Sequence, residues 1–139
     1  MPNIDNIKKY KKVHMIGIGG VSMSGIAEIL VNWGFKVSGS DRVDSELLHT
    51  LTKAGVQTFV GHKAENVNGA DCVVFTAAIS KDNPELIHAK ELGIPVIGRS
   101  DFLGELTRCY KNTIAISGTH GKTTTTSLVS LCFIEAMRD

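Results

Sequence analysis

Apolar and polar positions alternate along the chain in short blocks, several of them closed by glycine. Val13, Met15 and Ile16 form a brief apolar run that meets glycines at once, too short for a helix. Met23, Ile26, Ala27, Leu30 and Trp33 then recur at helical spacing, and Gly34 supplies a C-terminal stop. Phe35–Gly39 reads as a second strand, and Asp44 is placed to cap a helix carrying Leu47, Leu48, Leu51 and Ala54, ended by Gly55. Val56–Val60 reads as a third strand, and Gly61–Val67 as a loop or one helical turn. Cys72–Phe75 is wholly apolar, as in a parallel sheet covered on both faces. Asn83-Pro84 opens a helix running through Leu86, Ile87 and Leu92 to Gly93. Pro95–Ile97 is the fifth strand, and Ser100 is placed to cap a helix with Phe102, Leu103 and Leu106. This strand–helix alternation predicts an α/β fold with a doubly wound parallel sheet of about five strands.

Composition changes this picture little. The 139 residues are 42% hydrophobic and 21% charged, with a formal net charge of +1, which marks neither a nucleic-acid surface nor a disordered tail. Cys72, Cys109 and Cys132 are far apart, without metal or redox spacing, and their odd number argues against a disulfide framework. Reduced packing cysteines and a cytoplasmic location are expected. Lys8, Lys9, Lys11 and Lys12 imitate a basic leader, but His14 and the glycines break any apolar core behind them.

In a Rossmann-like sheet the ligand lies outside the carboxyl ends of the strands. Three loops occupy that position: Gly17–Ser24, Ser40–Arg42 and Thr76–Ser80. In the first, a strand feeds a helix through glycines, bringing unpaired N–H groups and the positive helix end to one point suited to phosphate. Gly17 and Gly19 fit the dinucleotide pattern G-x-G-x-x-G, but Ser22 takes the third position. A tight turn needing glycine only for packing is the bland alternative. Asp41 ends the second strand where such folds hold a ribose hydroxyl, and equally suits a loop or cap. Thr76 and Ser80 offer hydroxyls at the switch point, or merely a strand exit. His62 follows a strand end and either flanks a base or sits on the surface; His14, His49 and His88 lie within strand or helix patterns and carry no assigned chemistry.

A second signal lies at Thr113–Thr126. An apolar strand at Thr113–Ser117, a glycine turn, Lys122 and hydroxyl residues opening a helix are the parts of a phosphate-binding loop, in the shortened form G-x-x-G-K-T-T. The following helix, with Leu128, Val129, Leu131, Cys132, Phe133 and Ile134, has almost no polar face and reads as one that needs burial.

Gly118-Thr119-His120-Gly121-Lys122-Thr123-Thr124 closely resembles the ATP loop of the Mur ligase family. Gly17-Ile18-Gly19-Gly20 with Met23–Ala27, then Ser38-Gly39-Ser40-Asp41, Asn83-Pro84-Glu85, Ile94–Ile97, Arg99, Leu103 and Glu105-Leu106, is similar to the first domain of that family. The resemblance covers residues of about 10 to 135. Ser22 stands where the family usually carries glycine. The murein-peptide branch shares much of the pattern, but the cysteine and threonine typical of its glycine loop are absent here.

The resemblance implies an ATP- and Mg²⁺-dependent enzyme of peptidoglycan synthesis that joins L-alanine to UDP-N-acetylmuramate. By position, Gly19, Gly20, Val21, Ser22, Met23 and Ser24 would hold the UDP diphosphate, Asp41 the ribose, and Thr76, Ala77, Ala78 and Ile79 the neighbouring phosphate or sugar. Gly118, Thr119, His120, Gly121, Lys122, Thr123 and Thr124 would bind ATP, with Lys122 catalytic through its charge and Thr123 on the metal. A UDP-sugar domain is expected over residues 1–109, followed at 110–139 by the first strand, phosphate loop and helix of a truncated ATPase domain, inactive by itself. Residues 110–139 are expected either to fold back on the first domain or to pair with another copy. An NAD-binding oxidoreductase fragment or a non-catalytic nucleotide sensor would also suit the first loop, but both leave Gly118–Thr124 unexplained.

Overall fold

The computed structural model describes residues 7–137. Five strands, β1 (Lys12–Ile16), β2 (Lys36–Asp41), β3 (Gln57–Val60), β4 (Cys72–Phe75) and β5 (Val96–Gly98), form one wholly parallel sheet in the order β3-β2-β1-β4-β5. The helices are α1 (Val21–Asn32), α2 (Glu46–Lys53), α3 (Pro84–Glu91), α4 (Arg99–Arg108) and α5 (Lys122–Ala136), with a 3₁₀ turn at Ala64–Val67. The expected doubly wound sheet is therefore present.

Strand periodicity divides the core between the two faces of the sheet. Val13 and Met15 point into the larger cluster with Met23, Ile26 and Leu30 of α1, Leu51 of α2, and Phe102 and Leu106 of α4. Ile16 and Val73 point the other way, onto Val67 and onto Leu86 and Ala89 of α3. His14, Ser38 and Ser40 lie among these alternate positions, so a polar stripe is buried on the α3 side.

Gly39 shows how closely the layers approach. A methyl group there would sit 2.5 Å from Ile18 Cδ1 and 2.7 Å from the Met15 carbonyl oxygen. Only glycine lets the Ile18 side chain lie flat on β2.

The helix punctuation follows the sequence closely. Gly34, Gly55 and Gly93 each follow a helix with positive φ, the left-handed stop that glycine takes most easily. Asn83 caps α3 through its side chain, accepting from the N–H groups of Glu85 and Leu86, with Pro84 in the first turn. Two expected caps move. Ser45, not Asp44, caps α2 by accepting from the Leu48 N–H at 3.3 Å. α4 begins at Arg99 behind Gly98 rather than at Ser100, because the strand passes into the helix with no side-chain cap.

The larger correction concerns Thr113–Ser117, which is not a strand. A strand exists by pairing, and the described residues give this segment no ladder partner. α5 does form, but none of its residues is buried. Of the two expected courses for this segment, folding back onto the first domain is not seen in α5, although Tyr110 still meets Trp33 at 5.6 Å between ring centroids. No helix among the described residues is long and apolar enough to cross a membrane.

Candidate functional site

The direction of winding reverses between β1 and β4, and a cleft of about 640 Å³ opens at the carboxyl ends of the strands. Four of the five strands contribute to its lining: Gly17 and Gly20 after β1, Asp41 at the end of β2 with Arg42 just beyond it, His62 after β3, and Thr76, Ala78, Ile79 and Ser80 after β4. Asp82, Asn83 and Pro84 complete the wall.

The glycine loop is built by close approach. Gly17 has φ +82°, and a methyl group there would stand 2.7 Å from Thr76 Cγ2. Its N–H and that of Ile18 both donate to the Ser40 carbonyl, pinning the loop to β2. Gly20 then precedes α1 with no side-chain cap and no acidic residue in the first turn. The N–H groups at this helix start lack intrahelical acceptors, and the helix dipole places positive potential there. A methyl group on Gly20 would meet only the Gly17 carbonyl oxygen, at 3.5 Å, so the space above Gly20 is open.

Asp41 does something the strand pattern did not specify. Its Oδ2 accepts the Gly19 N–H at 2.9 Å, and its Oδ1 accepts the Val43 N–H at 3.4 Å. The carboxylate clamps the glycine loop while still lining the cleft. The Gly19 N–H is therefore committed to Asp41, not open to a ligand. Of the other expected residues, Gly20, Thr76, Ala78 and Ile79 line the cleft. Val21 and Ser22 are exposed at the loop, whereas Met23 and Ser24 turn their side chains inward. The Ser24 hydroxyl donates back to the Val21 carbonyl. Ala77 is exposed and lies outside the lining.

Behind the cleft wall lies a buried polar cluster that sequence reading missed. Glu85, from the first turn of α3, is fully buried. Its Oε2 accepts the Ser40 hydroxyl at 2.6 Å, and its Oε1 accepts Asn66 Nδ2 at 2.6 Å. His62 Nδ1 lies 3.0 Å from Ser40 Oγ and 3.1 Å from Glu85 Oε2. His14 Nδ1 contacts Ser38 Oγ at 2.9 Å, and its Nε2 stands 3.6 Å from Glu85 Oε1. That separation is an ion-pair distance too long for a hydrogen bond, and His14 Nε2 is buried with no hydrogen-bond partner. Burial by itself raises the Glu85 carboxyl, but His14, Ser40 and Asn66 outweigh it and hold the group below its ordinary value of 4.5. The sequence signal for this cluster is slight: His14 breaks an apolar strand, and an acidic residue follows Pro84.

The second loop stands apart in character. Gly121, at φ +76°, leads into α5, and the Lys122 ammonium bonds back to the Gly118 carbonyl. Thr126 and Ser127 spend their hydroxyls on the Lys122 and Thr123 carbonyls of their own helix. No such bond engages the Thr123 hydroxyl, which lines an open groove with Lys122. A free hydroxyl next to a lysine at an uncapped helix start fits a metal–phosphate group. Among the described residues no cluster of three or more His, Cys, Asp or Glu side chains could hold a metal by itself.

Comparison with known proteins places the chain in a family. A UDP-N-acetylmuramate–L-alanine ligase of Acetivibrio thermocellus is 54% identical over 131 residues, 94% of this chain and 28% of the relative. That of Clostridium tetani is 51% identical over 137 residues, 99% of this chain and 30% of the relative. The chain thus spans under a third of the length of these relatives. Among solved structures, a UDP-N-acetylmuramate–alanine ligase from Thermotoga maritima superposes with a TM-score of 0.81 at 38% identity, covering 86% of this chain and 28% of that one. A murein peptide ligase from Psychrobacter arcticus gives 0.80 at 29% identity, covering 86% and 25%. The family model described as Mur ligase family, catalytic domain, matches residues 12–111, and with most of the chain matched, the protein belongs to the Mur ligase family.

Proposed function

We propose that this chain is the UDP-N-acetylmuramate-binding portion of an ATP-dependent ligase that adds L-alanine to that nucleotide in peptidoglycan synthesis. The observation that carries the reading is the convergence of four strand-end loops on one cleft beside an uncapped helix start. The diphosphate would lie over Gly20, against the backbone N–H groups of Val21, Ser22 and Met23. Asp41 would receive a ribose hydroxyl on the carboxylate edge that does not hold Gly19, and Thr76, Ala78 and Ile79 would flank the neighbouring phosphate or sugar. Among solved relatives, identity is 38% to the alanine ligase against 29% to the murein peptide ligase, which favours the alanine ligase.

Residues 1–109 form the nucleotide domain in this reading, and residues 110–139 begin an ATP-binding one. Bound Mg²⁺–ATP would supply the phosphoryl group that activates the muramoyl carboxylate for attack by the alanine amine. On this chain Lys122 would offset phosphate charge, backbone N–H groups from Gly118 to Thr124 would orient the phosphates, and the Thr123 hydroxyl would hold the metal. Such a loop, standing on a helix with no buried residue, is expected to bind ATP weakly and turn nothing over. Leu128, Leu131, Phe133 and Ile134 are 59%, 56%, 54% and 48% exposed, a surface that favours pairing with a second copy. The location consistent with a nucleotide precursor pathway is the cytoplasm.

Parallel calorimetric titrations with UDP-N-acetylmuramate, NADH and ATP test the reading. Tight binding of the UDP-sugar alone is expected. Gly20→Val has room to fold but blocks backbone approach to the diphosphate, so it should abolish that binding. Preferential NADH binding, or unchanged affinity in Gly20→Val, sinks the assignment.

A further inference from the structure

We infer that His62 is a proton-linked contact for the nucleotide diphosphate, locked by Ser40 and Glu85 into a form that donates from Nε2 only as the imidazolium. The inference rests on the UDP-sugar reading of the cleft and extends it.

Hydrogen counting gives the tautomer. Ser40 Oγ lies 2.6 Å from Glu85 Oε2, so the single hydroxyl proton goes to the carboxylate, which has none of its own to give. His62 Nδ1 then faces the Ser40 oxygen at 3.0 Å and the same carboxylate oxygen at 3.1 Å. Both are acceptors, so Nδ1 must carry a proton. The depressed Glu85 carboxyl agrees with its ionised state. Asn66 Nδ2, donating to Oε1 at 2.6 Å, and His14 Nε2, 3.6 Å away, oppose any turning of the carboxylate.

With Nδ1–H committed inward, the neutral ring presents the Nε2 lone pair toward the cleft that His62 lines. A lone pair repels a phosphate oxygen, whereas the protonated ring offers N–H and a positive charge. Bound diphosphate therefore draws a proton from solvent onto Nε2. The other charged groups about the ring are Asp41 at the end of β2, Arg42 just after it, Asp82 before α3, and Lys63 next along the chain. Glu65 of the 3₁₀ turn is exposed, and His14 stands behind Glu85. Glu85 touches no ligand in this scheme; it is a positioning residue acting through His62.

The test is calorimetric titration of the 139-residue chain with UDP-N-acetylmuramate, from about pH 6.5 to 8.5, in two buffers of different ionisation heat. The diphosphate of this ligand is a diester and does not itself titrate there. The expected result is net uptake approaching about one proton per nucleotide at the alkaline end, with affinity falling up to about tenfold per pH unit. His62→Gln should bind more weakly and lose both effects, which assigns the proton to the imidazole rather than to Asp41, Arg42 or Asp82. Glu85→Gln supplies an amide donor, frees the neutral ring to carry its proton on Nε2, and should cut the uptake by more than half. If Glu85→Gln does not fold, His62→Gln, at a partly exposed loop, decides the matter alone. Binding without proton uptake in the unaltered chain, or uptake that persists in His62→Gln, overturns the inference and leaves the UDP-sugar reading standing. Absence of nucleotide binding at every pH overturns that reading, and this inference with it.

Discussion

Replacing Asp41 separates a structural clamp from a ligand contact. The carboxylate holds the Gly19 N–H at 2.9 Å and, more loosely, the Val43 N–H at 3.4 Å. A hydrogen bond to a charged group contributes about 1.5–3 kcal/mol. Asp41 and Gly19 are each only partly buried, so water can replace the lost acceptor and the lower end applies. Asp41→Ala should therefore cost about 1.5 kcal/mol, which for a domain of this size lowers the melting temperature by about 6 °C. Asp41→Asn keeps an oxygen that can accept from Gly19, and should cost less than about 1 kcal/mol. In calorimetry with UDP, Asp41→Ala should weaken binding by about 1.5–3 kcal/mol, through the displaced loop and the lost ribose acceptor together. Equal melting temperatures for the two variants would refute the clamp. A marked fall in melting temperature with unchanged UDP affinity would refute the ribose role.

Three further outcomes follow from the packing and the titrating groups. Gly39→Ala forces a methyl group to within 2.5 Å of Ile18 and 2.7 Å of a backbone oxygen, so urea titration should show a loss of about 1–3 kcal/mol; an unchanged midpoint contradicts the close approach of β2 to Ile18. Glu85 has its carboxyl held below 4.5 in the folded chain, so its contribution is present above that pH and is lost as pH falls through the depressed value. Glu85→Gln should accordingly flatten the acid limb of stability against pH, and an unaltered limb would contradict the cluster. Burial pushes the Cys72 thiol up to about 12 and Cys109 is also buried, whereas Cys132 is exposed on α5. One thiol should thus react quickly with a disulfide reagent, more slowly as concentration rises if copies pair through α5; constant reactivity with monomeric light scattering refutes the pairing.

What the sequence showed most clearly was local. Gly34, Gly55 and Gly93 mark helix ends because a left-handed stop depends on the residue itself, and Asn83-Pro84 marks a start for the same kind of reason. Cap identity was less legible, since Asp44 and Ser45 are both good caps and only the entry angle of the chain selects Ser45. Thr113–Ser117 has a strand composition, yet composition cannot supply a partner. The clamp from Asp41 to Gly19 and the Glu85 cluster were hidden for another reason. They join residues 22 and 45 positions apart, brought together only when the sheet sets β2 beside the glycine loop and under α3. Glu85 alone reads as an ordinary acidic residue in a first helical turn.

A UDP-sugar lying across the glycine loop at the carboxyl ends of the strands would reveal itself in amide chemical-shift mapping by NMR. On addition of UDP-N-acetylmuramate, the largest shifts are expected at the N–H groups of Gly20, Val21, Ser22 and Met23 and along Thr76–Ser80, with little change from Gly118 to Thr124. Shifts concentrated at Gly118–Thr124, or none at the glycine loop, would contradict the account.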